Sequence, residues 1–309
     1  MKTCSAVGRR ALLGLAAGLA ALPAAQARDR AAAPRRAVAI AGEALAVETL
    51  MGEGVDPHLF RPTRADIARL LGADAVFAIG HRLEGRMGDV FERLRAAGRP
   101  VLAVAEALPR ERLRAHPDYA DSADPHIWMD PVLWAEAAGP VAEAVLRLAP
   151  EADEAVRDRL AAFRARLARL DAYAREAVAT IPEGQRLLVT AHDAFGYFAA
   201  RYGLEGLSTE AEASLAHVER LVALLVARRV PAVFPETSVP DRAVLALVEG
   251  ARARGHRVAL GGALFSDALG RPGTYEGTYE GMLDHNITTI VRALGGRVPA
   301  GGLNGRLAA

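Results

Sequence analysis

A single long helical pattern divides this sequence into two parts. From Val156 to Ile181, apolar residues recur at intervals of three and four residues with Arg, Asp and Glu between them, which is the pattern of an amphipathic helix. Pro150 suits the start of this helix and Pro182 its end. A helix over residues 150–182 would extend about 48 Å, too long for an ordinary crossover helix. The pattern fits either a coiled coil or one helix that lies across two domains.

Short apolar runs alternate with helical patterns on both sides of this segment. The predicted strands cover residues 73–79, 100–104, 186–191, 230–234 and 257–260. Regular alternation of strands and helices is typical of α/β domains with mostly parallel sheets. We therefore predict two α/β lobes, residues 28–149 and 183–296, joined by one long linking helix over residues 150–182. The Gly-rich residues 297–309 are predicted to form a flexible tail.

The N-terminal 27 residues have the features of a signal peptide. Lys2, Arg9 and Arg10 precede an apolar run over residues 11–22, and residues 25–27 form an Ala-Gln-Ala cleavage site. The run is too short for a permanent membrane helix, which needs about 20 apolar residues. We therefore expect export to the periplasm and removal of residues 1–27. The Arg-Arg pair fits the twin-arginine route, but such pairs also occur in ordinary secretory signals, so the route stays open.

Composition limits the chemistry available to the processed chain. Hydrophobic residues make up 51% of the sequence and charged residues 24%, which is typical of a globular protein with a buried core. Removal of residues 1–27 takes away three of the 38 basic residues and none of the 37 acidic ones, which changes the net charge from +1 to −2. We therefore expect no nucleic-acid partner. Cys4, the only cysteine, is also removed, so any transition metal must be held by His, Asp or Glu.

Three histidines occupy similar positions, in loops that lead into predicted helices. His58 and His126 each end an Asp-Pro-His tripeptide, and His192 directly follows the predicted strand over residues 186–191. Asp267 follows another apolar run. Such loops form the edge of an α/β sheet at which ligands bind. Three imidazoles and one carboxylate suit Zn²⁺, Mn²⁺ or Fe²⁺ at a site without sulfur, although all four residues also fit as solvated, capping or turn residues.

Other polar residues have simpler interpretations. Asp130 and Asp193 are expected to cap helices, and His116 lies in an Asp-rich loop that would form at most a weak accessory metal patch. The sequence contains no glycine-rich phosphate loop, no HExxH zinc helix and no GxSxG nucleophile elbow. It therefore offers no candidate nucleophile for covalent catalysis.

Five stretches of the sequence resemble one known family of binding proteins. They are, in chain order, LMGEGVDPH at residues 50–58, DPHIWMDP at 124–131, TAHDAFGYF at 190–198, FSDALG at 265–270 and GTYEGM at 277–282. The resemblance as a whole runs, in the same order, from about Ile40 to Gly295. This region is similar to the zinc/manganese-type solute-binding proteins of ABC transporters, the TroA-like family.

The resemblance implies two α/β lobes joined by a single long helix, with a metal clamped in the cleft between them. The family's ligand positions fall on His58, His126, His192 and Asp267. The implied function is the capture of one divalent transition-metal ion, Zn²⁺ or Mn²⁺, by an exported monomer that delivers it to the membrane permease of an ABC importer. No bond is made or broken in such a process, so we do not expect an enzyme.

Two alternatives from other classes remain open at this point. An exported metal-dependent hydrolase would use the same histidines and take Glu212 or Glu236 as its general base, since the resemblance places both glutamates near the cleft. A metal-dependent surface adhesin would need a membrane anchor, and Cys4 stands before the apolar run, where it is badly placed for lipid attachment.

The sequence departs from the family in two places. The loop before His126 lacks the long His-rich insertion of many zinc-specific members. The family's first strand and most of its first helix, about 20 residues, have no counterpart before Ile40, and a parallel strand needs a crossover of about a dozen residues. The first lobe is therefore expected to be shortened at its start and less stable than the second.

Overall fold

Short parallel strands and the helices that follow them build both lobes of the structure, a computed structural model that describes residues 12–14, 40–42, 45–116, 119–209 and 214–307. The strands of the first lobe are β1 (Leu12–Gly14), β2 (Val47–Thr49), β3 (Ala75–Ala78) and β4 (Val101–Ala103). They pair in parallel in the order β2–β1–β3–β4. The helices of this lobe are α1 (Arg64–Gly72), α2 (Gly88–Ala96) and α3 (Pro131–Leu148).

Strand β1 comes from the apolar run of the predicted signal peptide. Leu12 lies opposite both Val47 of β2 and Ala75 of β3, so β1 fills the inner position between these two strands. No strand was expected at residues 12–14, and the first lobe was expected to lack its first strand. The predicted cleavage site at residues 25–27 lies outside the described residues.

Side-chain caps determine where α1 and α3 begin. Thr63 Oγ1 accepts a hydrogen bond from the Asp66 N–H, and the Asp66 carboxylate accepts one from the Thr63 N–H, which together make a capping box. Asp130 Oδ1 accepts hydrogen bonds from the N–H groups of Val132 and Leu133, as predicted for this residue. Both helices start directly after loops that carry predicted metal ligands, so the caps also fix the ends of those loops.

The linking helix α4 covers Asp153–Ala179. Its 27 residues extend about 40 Å, and it packs against α3 of the first lobe and α8 (Tyr279–Ala293) of the second. Phe163, Leu167 and Leu170 on its apolar side are buried. The apolar stripe is therefore covered within the chain, which favours one helix across two lobes over a coiled coil. No helix among the described residues, α4 included, is long and apolar enough to cross a membrane.

The second lobe repeats the strand–helix alternation. Its strands are β5 (Leu187–Thr190), β6 (Glu205–Ser208), β7 (Ala232–Val233) and β8 (Ala259–Leu260), and its other helices are α5 (Gly196–Tyr202), α6 (Leu215–Arg228) and α7 (Arg242–Ala253). Strand β5 pairs in parallel with β6, and β7 pairs in parallel with β8. A parallel bridge between Thr190 and Phe234 joins the two pairs.

The prediction that Asp193 caps a helix is wrong. Helix α5 begins at Gly196, with Phe195 in the capping position and no side-chain cap. Ala194 and Phe195 are buried, and residues 191–195 form bends and a turn rather than helix. Burial of these two apolar side chains delays the helix and leaves a longer loop after His192.

The C-terminal segment, residues 297–307, forms turns that contact α8. The Leu303 N–H donates to Asp284 Oδ1 at 2.8 Å, and the Arg292 guanidinium donates to the Pro299 carbonyl at 3.0 Å. This arrangement contrasts with the flexible tail expected from the glycine content. Gly302 has a φ of +72°, and a Cβ at this position would lie 2.5 Å from Asp284 Oδ1, so glycine permits the close contact.

Candidate metal centre

The four predicted ligands lie in four loops that follow parallel strands or bridges. His58 lies between β2 and α1, His126 between β4 and α3, and His192 between β5 and α5. Asp267 follows the parallel bridge at Leu264. Loops at the carboxyl ends of parallel strands meet at one edge of a sheet. The two lobes therefore present these four side chains to each other.

The two Asp-Pro-His tripeptides have the same local structure. Asp56 Oδ1 accepts a hydrogen bond from the His58 N–H at 2.7 Å, and Asp124 Oδ1 accepts one from the His126 N–H at 3.0 Å. A short aspartate side chain readily makes this bond to the backbone two residues ahead. Each histidine is thus held in a fixed turn, which limits the directions in which its ring can point.

The distances between the side chains suit a single metal ion. Each of the four residues offers one ligand atom, and these atoms all lie within 4.8 Å of one another. His126 Nε2 lies 3.3 Å from His58 Nε2, 3.1 Å from His192 Nε2 and 3.6 Å from Asp267 Oδ1. In a tetrahedral zinc site with bonds of about 2.0–2.1 Å, neighbouring ligand atoms are about 3.3 Å apart. The cluster therefore has close to the dimensions of a tetrahedral coordination shell.

The burial of these side chains and one unpaired carboxylate oxygen also favour a metal site. His126, His192 and Asp267 are each at most 4% exposed, and His58 is half-buried. Asp267 Oδ1 is buried and has no hydrogen-bond partner among the described residues. A buried polar atom without a partner is costly and needs an explanation, and a metal ion bound at this oxygen would provide one. His58 is the member of the cluster that is most exposed to solvent.

Asp124 orients the ring of His126. Its Oδ1 lies 2.8 Å from His126 Nδ1, so Nδ1 carries the proton of the neutral ring and Nε2 is the nitrogen available to a metal ion. Burial by itself lowers the pKa of His126, but the hydrogen bond and charge of Asp124, together with the charge of Asp267, outweigh this effect and raise the pKa above its usual value. The Asp124 carbonyl also accepts a hydrogen bond from the Tyr197 hydroxyl at 2.9 Å.

Glu236 holds the backbone at His192. Its Oε1 accepts the His192 N–H at 2.7 Å, and Thr190 Oγ1 donates to the His192 carbonyl at 2.7 Å. Burial raises the pKa of Glu236 to about 7. Glu236 thus lies beside the cluster, as the resemblance implied, and makes its contact with the main chain. Glu212, the other glutamate expected there, lies outside the described residues.

A direct contact between the lobes ties two of the ligand loops together. Trp128, two residues after His126, donates its indole N–H to the carbonyl of Ser266 at 2.9 Å, and Ser266 precedes Asp267. The Tyr279 hydroxyl donates to the Trp128 carbonyl at 2.7 Å. This contact was not predictable from the sequence, because Trp128 and Ser266 are 138 positions apart and no local pattern indicates the pairing.

Two further histidines, His256 and His285, lie outside this cluster and contact backbone carbonyls. Nε2 of His256 is 2.8 Å from the Val230 carbonyl, and Nε2 of His285 is 3.0 Å from the Ala263 carbonyl. Among the described residues, the only group of three or more His, Cys, Asp or Glu side chains close enough to share a metal ion is the cluster of four. The described part of the loop at His116 therefore forms no accessory metal patch.

The fold and the site together define a class of protein, a two-lobed binding protein with a buried group of three histidines and one aspartate between its lobes. The chain matches the family described as zinc-uptake complex component A, periplasmic (ZnuA), over residues 36–293. It belongs to this family, and the resemblance found in its sequence is confirmed.

Individual relatives share most of their length with this chain. The manganese-binding lipoprotein MntA of Bacillus subtilis (strain 168) is 42% identical over 260 residues, which cover 82% of this chain and 84% of MntA. The zinc-binding protein TroA of Treponema pallidum (strain Nichols) is 45% identical over 250 residues, 79% of this chain and 80% of TroA. The solved structure of the periplasmic zinc-binding protein TroA from Treponema pallidum superposes with a TM-score of 0.80 at 37% identity, covering 93% of this chain and 99% of that one.

Proposed function

We propose that this chain is the exported metal-capture component of an ABC-type importer and that its cargo is one divalent transition-metal ion, zinc or manganese. The observation that carries the proposal is the convergence of four ligand atoms, from His58, His126, His192 and Asp267, within 4.8 Å. Membership of the zinc-uptake family supports it, as do relatives named as zinc-binding and manganese-binding proteins.

The geometry favours binding over catalysis. Zinc enzymes use three protein ligands and keep a fourth position for an activated water or substrate, whereas sites that only hold the metal are filled by protein. Here four protein side chains each offer one ligand atom, all within 4.8 Å of one another, which is enough to fill a four-coordinate shell without water. Glu236, the described candidate for the base of a hydrolase, accepts the backbone N–H of His192. We therefore assign no enzymatic reaction to the site.

The export and delivery steps follow from the same assignment. The apolar N-terminal run is the proposed export signal, and the periplasm is the proposed place of capture, because the family is described as periplasmic. The partner is then the membrane permease of the importer, which receives the metal from a monomeric carrier. A chain with a net charge close to zero has no electrostatic attraction to nucleic acid, so we propose no such partner.

The donor set predicts the order of affinities but not the physiological cargo. Nitrogen-rich sites bind Zn²⁺ more tightly than Mn²⁺ in the usual order of divalent metals. We therefore expect zinc to outcompete manganese at equal concentration in vitro. In the cell, the availability of each metal also determines which one is bound. The two relatives described above are named for different metals, manganese and zinc. A titration in which Mn²⁺ displaces Zn²⁺ at equal concentration would contradict this order.

Calorimetric titration of the metal-stripped full chain with Zn²⁺ tests the proposal. We expect one equivalent to bind and His192→Ala to weaken the binding by orders of magnitude, because one of four ligands is lost. His256→Ala is the matched control, since its ring contacts a backbone carbonyl outside the cluster, and it should bind zinc as the unmodified chain does. Unchanged affinity in His192→Ala would overturn the site assignment.

A further inference from the structure

A cavity of about 260 Å³ lies between the linking helix, the start of α8 and the C-terminal segment. None of the residues that line it belongs to the metal cluster. Its polar lining consists of Arg166, Arg169, Tyr275, Glu280, Asn304 and Arg306. A flexible tail was expected over residues 297–309, but the turns of residues 297–307 bring Leu303, Asn304 and Arg306 to the cavity and so form one of its walls.

Positive charge is in excess in this cavity, since three guanidinium groups face one carboxylate. Arg166 pairs with Glu280, whereas the other two arginines have neutral partners. Arg169 donates to Asn304 Oδ1 at 3.2 Å, and the Arg306 guanidinium lies 4.5 Å from the centre of the Tyr275 ring. These neutral contacts position the two arginines without cancelling their charge.

We propose that this cavity binds a small oxyanion of the phosphate or carboxylate class. The planar guanidinium group offers parallel N–H donors that match two oxygens of a phosphate or carboxylate. The volume is slightly below the range of about 300–1,000 Å³ typical of drug-sized ligands, so the cavity has ample room for one phosphate group or a small dicarboxylate together with water. The ion pair with Glu280 already occupies Arg166, so Arg169 and Arg306 are the arginines that contact the anion.

The two arginines belong to different parts of the chain, and this determines the effect of an anion bound between them. Arg169 belongs to α4, whereas Arg306 belongs to the C-terminal segment. An anion held by both would fasten that segment to the linking helix. This effect is separate from metal capture, because the anion would contact none of the four metal-site residues. The shared chemistry is a phosphate group, which either free phosphate or a phospholipid headgroup can supply.

The experiment uses the full chain and inorganic phosphate as the probe, with calorimetric titration at low ionic strength. We expect saturable binding of one equivalent, and a dissociation constant at least about tenfold higher in the double variant R169Q/R306Q because two charged donors are lost. The matched control is R157Q/R228Q, which removes the same charge from two surface ion pairs outside the cavity and should bind phosphate unchanged. Zinc binding should be unaffected in both variants, which also shows that they fold.

A second arm identifies the source of the phosphate. Vesicles of phosphatidylglycerol are compared with vesicles of phosphatidylcholine, which carry no net charge. Retention on the anionic vesicles that R169Q/R306Q loses and R157Q/R228Q keeps would support the site and assign it to a headgroup. Absence of saturable binding to both phosphate and vesicles, or an equal loss in the two double variants, would overturn the proposal.

Discussion

Asp124 lies beside the cluster and orients His126, one of the four proposed ligands, although Asp124 is not itself a proposed ligand. It holds both the backbone N–H and the Nδ1 atom of His126. Carboxylates that accept the second N–H of a metal-bound histidine fix the ring and raise its basicity. The proposed affinity for metal therefore depends on Asp124 as well as on the four ligands.

Replacement of Asp124 by Asn is predicted to weaken zinc binding by about 10- to 100-fold. The asparagine keeps the shape of the side chain but loses the charge that raises the pKa of His126. Competition against a zinc chelator of known affinity measures the change. Asp121→Asn is the control, because Asp121 pairs with Arg82 at the surface, and a similar loss in this variant would contradict the role assigned to Asp124.

The buried carboxyl group of Glu84 is predicted to make the free energy of unfolding depend on pH. It is 4% exposed and accepts the N–H groups of Ile79 and Gly80, and burial raises its pKa to about 7. The folded chain therefore keeps the proton on Glu84 at pH values where the unfolded chain has released it. The stability linked to this proton is complete below about pH 4.5 and is lost as the pH rises through about 7.

Urea unfolding of the metal-stripped chain at pH 5 and pH 8 tests this prediction with Glu84→Gln. The advantage of the unmodified chain over the variant should shrink by about 2 to 3 kcal/mol between the two pH values, since the pKa is 4.5 in the unfolded chain and about 7 in the folded one. Glu92→Gln, on the exposed side of α2, should show no such change. A difference between the Glu84 variant and the unmodified chain that is independent of pH would mean that the carboxyl group titrates normally.

The role of a single residue could be predicted from the sequence where the residue belongs to a local motif. It could not be predicted where the role depends on a contact between distant parts of the chain. The Asp-Pro-His tripeptides and the positions after predicted strands led to all four residues that the structure brings together. The contact between Trp128 and Ser266 depends on how the lobes pack, which no local pattern encodes. The wrong cap at Asp193 arose because an Asp before a helix is usually a cap, whereas burial of Ala194 and Phe195 decides the outcome here.

Among the secondary-structure elements, strand β1 matters most for the pairing of the first sheet. It supplies the inner strand between β2 and β3 from within the predicted signal peptide. A chain that begins at residue 28 would lack this strand and leave the facing edges of β2 and β3 without their hydrogen bonds. The second lobe would be unchanged.

Hydrogen exchange on metal-stripped protein measures this difference. In a chain that begins at residue 28, we expect weak protection across β2 and β3 and strong protection across β5, because only the first lobe loses pairing. Addition of zinc should narrow the difference in protection, since the proposed metal site takes residues from both lobes. Equal and strong protection in both lobes without metal would show that the first sheet closes in another way.

Long elements were easier to predict than short ones. The periodicity of residues 150–182 indicated the linking helix, which the structure places at Asp153–Ala179, because many repeats of one pattern agree. Strand β1 has only three residues, and its apolar sequence fits a signal peptide equally well. The turns of the C-terminal segment depend on contacts with Asp284, so its glycine content alone indicated flexibility.

At the scale of the whole molecule, a metal ion between the lobes should stabilise the entire chain. A ligand that binds only the folded state adds about 4 kcal/mol to the free energy of unfolding at a thousandfold excess over its dissociation constant. Urea unfolding with and without zinc should show this gain in the unmodified chain and almost none in His192→Ala. An equal gain in both would place the stabilising metal elsewhere.

The central claim is that one metal ion is held in a shell completed by His58, His126, His192 and Asp267. Anomalous diffraction at the zinc absorption edge, from crystals of the zinc-loaded protein, tests it most directly. We expect one strong peak in the anomalous difference map, about 2.0–2.2 Å from a ligand atom of each of the four residues, with no water bound to the metal. A peak at another position, or a bound water in place of one of these residues, would contradict it.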